Sequence, residues 1–282
     1  FVHFEIVNIA ASINANIFLI YLIIYRSSRE IGVYHYLLLA FALNDIYFPI
    51  IHFLTMPVIC SYKDAFIMFA HGFLTSRLSI CLFGATFSQT MPLLAHLFIY
   101  RLVATKWLEH LFNHSLYRKS CMVGAFPLEI ENPRDFRFLH CFFNGYDEES
   151  GEYMQPFLDE NFNREGKEFI GAVYYSIDGK FRMSAFLTTM GFNAIMVVCI
   201  SIILFCSFSI VAHLRSQNVK WSGKTKRMII PMVFVYFPCA GIINLPIFGF
   251  RMSVFPNLVS ASLTIFPLID AFIVMFGVKS YR

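Results

Sequence analysis

The sequence predicts an all-α membrane protein: a seven-helix bundle forming one transmembrane domain over residues 1–282, with a fourth span that is defective or missing. Three observations carry this prediction. Hydrophobic residues make up 57% of the chain and charged residues only 14%, against roughly 25% charged in soluble proteins. The apolar residues stand in long unbroken runs, and the cleanest, Leu78 to Leu102, meets no charge until Arg101, a length that matches the roughly 20 residues needed to cross a hydrocarbon core. Lysine and arginine gather in the connections on alternate sides of these runs, the pattern that orients helices in a bilayer. Only helices and closed barrels satisfy their backbones in lipid, and barrel strands read as short alternating segments, unlike these runs.

In chain order, the first span runs from about Phe4 to Tyr25 and is followed by Arg26 and Arg29, which places its amino terminus outside. No basic leader or cleavage site flanks it, so it reads as a spanning helix and not a signal peptide. The second, Tyr36 to Cys60, carries Asn44, Asp45, Pro49 and Pro57. A carboxylate at that depth is expensive and faces the bundle interior. Ser61 to Arg77 reads as an outer loop whose apolar patch, FIMFAHGF, is too short to cross. The third span is Leu78 to Leu102, and an inner loop with Lys106, Arg118 and Lys119 follows. Over 121–143 the pattern breaks, because five charges fall between Glu129 and Arg137, each costing up to about 3 kcal/mol near the bilayer centre.

Residues 144–182 form a long acidic loop, rich enough in aromatics to suit a folded outer cap more than a disordered linker. The fifth span is Phe186 to His213, and Arg215, Lys220, Lys224, Lys226 and Arg227 then make an inner loop without acids. The sixth, Met228 to Phe250, contains Pro231, Pro238 and Pro246. The seventh, Pro256 to Val278, contains Pro267 and Asp270 and precedes Lys279 and Arg282. With Arg101 at the inner end of the third span, the inner segments so drawn hold 13 of the 22 Lys and Arg residues. The net charge of +4 carries no nucleic-acid signal, since it sits in these short clusters. The seven cysteines show neither a CxxC nor a zinc-like spacing.

Several stretches resemble the nematode serpentine chemoreceptors of the Str class and its close relatives, seven-helix G-protein-coupled receptors. YRSSREIGVYHYLLLAF, with Gly32 and Tyr34 to Leu37, resembles that family's first inner loop and second span. HLFIYR at the end of the third span, YYSIDGKFR at the end of the acidic loop, and FPLIDAFIVMFGVKSYR at the close resemble further motifs of the family. The similarity covers nearly the whole chain. It departs in the fourth span, in the entrance to the sixth, where Thr225 to Arg227 run directly into MIIPMVFVYFP, and at Ala271, where the family has proline.

The resemblance implies roles for particular residues. Tyr100 and Arg101, with Lys224, Lys226 and Arg227, would engage a heterotrimeric G protein; interfacial anchoring and contact with anionic lipid are the plainer readings of the same residues. Independently of the resemblance, intramembrane carboxylates point to function, so Asn16, Asp45 and Asp270, with a kink at Pro267, are expected to form one polar cluster in the inner half of the bundle that rearranges on activation, or to stand as unrelated side chains each satisfied by its own neighbour. An apolar pocket for an odorant or pheromone is expected in the outer halves of the third, fifth, sixth and seventh spans, from Phe83, Thr86, Phe87, Asn244, Phe248 and Ser260. Phenylalanines in spanning helices also serve simply as core or lipid-facing groups. Such receptors often tie the third span to the second outer loop by a disulfide, here Cys81 to Cys141; two free thiols are the alternative.

No cofactor or metal is expected. His110 and His114 share a helical spacing but lack further ligands, and the sequon at Asn113 falls on the inner side. No Ser/His/Asp, Cys/His or metal set inside the spans points to an enzyme. The resemblance implies an olfactory-type receptor in the plasma membrane of sensory cilia, which binds a small external molecule and signals inward to a heterotrimeric G protein. A channel or transporter subunit is the alternative from another class, although the repeated half that a transporter would show is not found. A non-functional receptor-derived product is the alternative that the fourth span raises.

Overall fold

The computed structural model describes residues 2–26, 34–105, 148–162, 169–216, 241, 244–248 and 255–277. Its elements are α1 (Val2–Arg26), α2 (Tyr34–Thr55), β1 (Pro57–Tyr62), β2 (Ala65–Ala70), α3 (Arg77–Thr105), α4 (Glu148–Phe162), β3 (Ile170–Val173), α5 (Met183–Ser216), a 3-10 turn (Leu245–Phe248) and α6 (Phe255–Gly277). Among the described residues, four helices are long and apolar enough to cross a membrane: α1, α2, α3 and α5. In α6 the apolar helical stretch described at side-chain level is Ser262–Met275. The expected fourth span at 121–143 and most of the sixth at 228–250 lie outside the described residues.

Helical periodicity decides which face of each helix packs inward. In α1 the buried residues are Glu5, Ile9, Ser12, Asn16, Leu19 and Ile23, a stripe at alternating spacings of four and three. Ile17, Phe18, Tyr21 and Ile24 lie on the opposite, exposed face, where lipid is their natural solvent. α5 repeats the pattern, with Thr189, Met196, Cys199, Ile203, Cys206 and Ile210 inside and Val198, Phe205 and Phe208 outside. α2 is the central helix, packed against α1, α3 and α6, while α3 also packs on α5. One apolar cluster runs through the bundle, from Leu19 and Ile23 of α1 through Leu38 and Phe48 of α2, Phe83 and Phe98 of α3 and Ile203 of α5 to Phe266 and Val274 of α6.

The second helix is shorter than the sequence predicts. It stops at Thr55, and Pro57 to Tyr62 is a strand, where a helix through Cys60 was expected. Met56 takes a φ of +41° at the break, which a continuing α-helix does not permit. The apolar patch after it, read as an irregular loop, contains β2, which pairs antiparallel with β1 from Pro57↔Ala70 to Tyr62↔Ala65. Lys63 and Asp64 form the two-residue connection, and Lys63 supplies the positive φ, +48°, that such a tight hairpin needs.

The acidic loop supplies the rest of a small α/β cap. β3 adds to β2 with Met68↔Ile170 and Ala65↔Val173 in register, giving the strand order β1-β2-β3. α4 covers this sheet, and Met154 and Leu158 enclose a second apolar core with Ile67, Phe69, Phe169 and Val173. Tyr62 stacks on Phe157 at 4.6 Å between ring centroids. Gly171 is required where β3 crosses β2, because a Cβ there would lie 2.1 Å from the Phe66 carbonyl oxygen. A turn closed by Gly179 at φ +76° leads back through the Tyr175↔Phe181 bridge into α5.

Candidate functional site

Polar and aromatic side chains inside the bundle fall at three levels below the cap. Nearest the cap, the His52 ring meets Phe83 edge-on at 5.4 Å and Phe48 at 6.1 Å. Phe48 lies 5.5 Å from Phe83 and 6.3 Å from Phe87. Thr86 turns back on its own helix and donates to the carbonyls of Phe83 at 2.8 Å and Leu82 at 3.1 Å. The pocket candidates Phe83, Thr86 and Phe87 therefore share this level with two α2 residues that the sequence reading left out, Phe48 and His52.

Asn244 is drawn to α5 and not to this group. It exchanges hydrogen bonds with Asn193, at 2.6 and 3.1 Å. One turn nearer the cap, the Tyr174 hydroxyl and Thr189 share a buried 2.9 Å bond that fastens the cap to α5. The backbones of Phe248 and Ser260 lie in the 3-10 turn and in α6.

The middle level belongs to α1, α2 and α6. Asn16 donates to the Pro267 carbonyl at 3.1 Å and to the Ser12 carbonyl at 3.0 Å. Asp45 and Asp270 are both buried and near enough to influence each other. Neither Asp45 oxygen has a hydrogen-bond partner among the described residues, and the same holds for Asp270 Oδ2, Asn16 Oδ1 and Ser12 Oγ. The structure thus brings Asn16, Asp45, Pro267 and Asp270 into one layer. It adds Ser12, which stands one turn before Asn16 and shares its inward stripe, a signal readable from spacing.

Tyr100 and Arg101 occupy the far end of α3, about 36 Å from Arg77 at 1.5 Å per residue. Both are half-buried, and Tyr100 packs against the main core. Cys81 is half-buried in the first turns of α3. Its expected partner Cys141, the basic residues Lys224, Lys226 and Arg227, and the pair His110 and His114 lie outside the described residues. Among the described residues, no group of three or more His, Cys, Asp or Glu is placed to hold a metal ion.

The cap has its own electrostatics. Burial pushes the Cys60 thiol up to about 12. Burial also raises the Tyr174 phenol, with the Thr189 hydrogen bond opposing the shift, and raises Tyr153, with smaller contributions from Asp64 and Lys63. The Lys63 ammonium lies 5.1 Å over the Tyr62 ring and 5.5 Å from that of Tyr153. Arg182 donates to the Ser150 hydroxyl at 2.5 Å, and the Ser176 hydroxyl donates to Glu149. Together these join α4 to the turn that feeds α5.

Residues 2–282, all but the first, match the family model described as serpentine type 7TM GPCR chemoreceptor Str. The chain belongs to this Str family of serpentine receptors. Among its relatives in Caenorhabditis elegans are serpentine receptor class J-38, 24% identical over 83% of this chain and 76% of the relative, and G-protein coupled receptor str-33, 23% identical over 95% of this chain and 84% of the relative. Str membership makes this a membrane protein of a seven-helix family, and it matches the residues on which the resemblance was first seen.

Proposed function

We propose that this Str-family chain is a chemoreceptor that binds a small external odorant or pheromone and signals inward to a heterotrimeric G protein, with no catalytic step. The observation that carries this reading is the family match over residues 2–282. The geometry supports it in one respect above others. A layer of buried, unpaired polar groups lies between the aromatic level under the cap and the Tyr100–Arg101 end of α3, and such groups persist in membranes where function needs them.

In this reading the cap and the amino terminus face outward, and ligand settles among the aromatic side chains and the helix ends carrying Asn244, Phe248 and Ser260. The layer of Asn16, Asp45, Pro267 and Asp270 repacks as the switch. Tyr100 and Arg101 meet the G protein, with Lys224, Lys226 and Arg227 opposite them. Cys81 pairs with Cys141 to hold the acidic loop to the third span. The site of action is the plasma membrane of sensory neuron cilia.

The decisive experiment expresses the full chain with a panel of G-protein α subunits and reads subunit dissociation by resonance energy transfer. Ligand-driven or constitutive dissociation that disappears in Arg101→Ala, with surface expression unchanged, supports the reading. Surface expression without dissociation from any α subunit overturns it. A glycosylation acceptor placed near Glu149 tests sidedness separately: modification in microsomes puts the cap outside, and an unmodified acceptor rejects the orientation.

A further inference from the structure

We propose that His52 is the polar anchor of the ligand pocket, and that the ligand it holds is a neutral, mostly apolar molecule carrying one oxygen function, a hydroxyl or a carbonyl. This deepens the receptor reading above and rests on it.

The argument begins with an unmet need. His52 stands in the last turn of α2 with 1% of its surface exposed, and neither Nδ1 nor Nε2 has a hydrogen-bond partner among the described residues. An uncharged imidazole carries one donor and one acceptor, and enclosing both without partners is penalised. Buried polar groups are satisfied in the great majority of cases, so an exception needs an explanation. The hydroxyls at the same level have none of this difficulty. Thr55 donates to the Ile51 carbonyl at 2.8 Å, and Thr86 to the Phe83 carbonyl at 2.8 Å. A short hydroxyl reaches its own helix carbonyl in this way, while the His52 ring stands out among Phe48 and Phe83. At this level, among the described residues, the polar atoms left for a visitor are those of His52.

The surroundings set the visitor's chemistry. Phenyl rings from α2 and α3 line the ring, so the body of the ligand is apolar or aromatic. A charged ligand would give up its hydration in an enclosed site where, among the described residues, no oppositely charged side chain stands beside the His52 ring, so the site suits a neutral molecule better. A metal ion needs several donors, and His52 supplies one; among the described residues no cluster provides the rest. A hydroxyl or carbonyl oxygen accepts from the imidazole N–H, and a hydroxyl also donates to the second nitrogen. The ring is enclosed, so binding requires the aromatic side chains to change rotamer, as interface side chains commonly do.

The test uses the purified full-length chain in lipid nanodiscs, with thermal unfolding followed in the presence of 1-hexanol, hexanal, 2-heptanone or n-hexane. The wild type is expected to be stabilised by the oxygenated compounds and not by hexane. His52→Phe, which fills the space without polar atoms, is expected to unfold at a higher temperature when empty and to need about tenfold more of each oxygenated compound for the same shift. His52→Gln, which keeps a donor and an acceptor, is expected to restore part of the sensitivity and serves if the phenylalanine variant does not fold. Equal stabilisation by hexane, unchanged sensitivity in both variants, or no stabilisation of the wild type by any oxygenated compound overturns the proposal. Because the readout is binding, a chain that binds through His52 yet never engages a G protein rejects the signalling reading and leaves the anchor standing.

Discussion

The cap and the middle layer of the bundle treat polar groups in opposite ways. In the cap, β2 is paired on both edges, Arg182 reaches Ser150, Tyr174 reaches Thr189, and an apolar core of Met154, Leu158 and Phe69 closes beneath α4. It is built as a small soluble domain is built. In the layer, two carboxyl groups are buried near each other and several oxygens have no partner among the described residues. The cap is arranged to stay in one state, whereas the layer holds groups that a second arrangement would satisfy better. On the proposed receptor reading, stability would rest with the cap and switching with the layer.

The comparison breaks first at Gly171. Gly171→Val places side-chain atoms inside the β2 backbone, and we expect a loss of about 3 kcal/mol or more, seen as retention of the chain in the endoplasmic reticulum. Leu158→Ala leaves a cavity in the cap core and should cost about 2–3 kcal/mol, measurable as a lower unfolding temperature. The layer should answer with the opposite sign. Asp270→Asn replaces one of two neighbouring buried carboxyl groups with an amide that cannot ionise and is expected to stabilise the empty receptor by about 1 kcal/mol while blunting ligand-driven G-protein dissociation. Were Asp270→Asn to destabilise as Leu158→Ala does, the contrast between the two regions would fail.

A smaller effect follows from pH. The Cys60 thiol has its ordinary value near 9.0 in the unfolded chain and is pushed up to about 12 when folded. A raised value means that the folded state holds the proton longer, so its contribution is complete below about pH 9 and is lost as pH rises toward 12. The raised Tyr153 and Tyr174 phenols act in the same direction. Maleimide labelling of Cys60 should stay slow at pH 8 and accelerate above pH 9, and Cys60→Ala should flatten part of the alkaline fall in stability. Smallest of all, Tyr174→Phe removes one neutral hydrogen bond from cap to α5 and should cost about 1 kcal/mol.

How much of this could be read from the chain differs between the two regions for a physical reason. Spanning helices announce themselves by length and apolarity, which is why α1, α3 and α5 lie close to where the sequence placed them. The inward stripe of α1 puts Asn16 among buried residues by spacing alone, and an aspartate inside an apolar run can only point inward. The hairpin was hidden because PVIC continues the apolar run of α2 without a polar break. Its clues were local: Pro57, the β-branched Val58 and Ile59, and the tight Lys63–Asp64 connection. Pairing with β3, about a hundred residues later in the chain, leaves no local signature at all. His52 was passed over because one histidine in an apolar helix resembles a filler until its neighbours are known to be phenyl rings.

The bond from Asn16 to the Pro267 carbonyl joins residues 251 positions apart. During synthesis the first helix therefore enters the membrane long before its partner exists, with Ser12 and Asn16 still seeking donors and acceptors. Until the last helix leaves the ribosome, that polar stripe marks the nascent chain as incomplete. A chain that ends before residue 267 would leave the Asn16 amide with only the Ser12 carbonyl of its own helix.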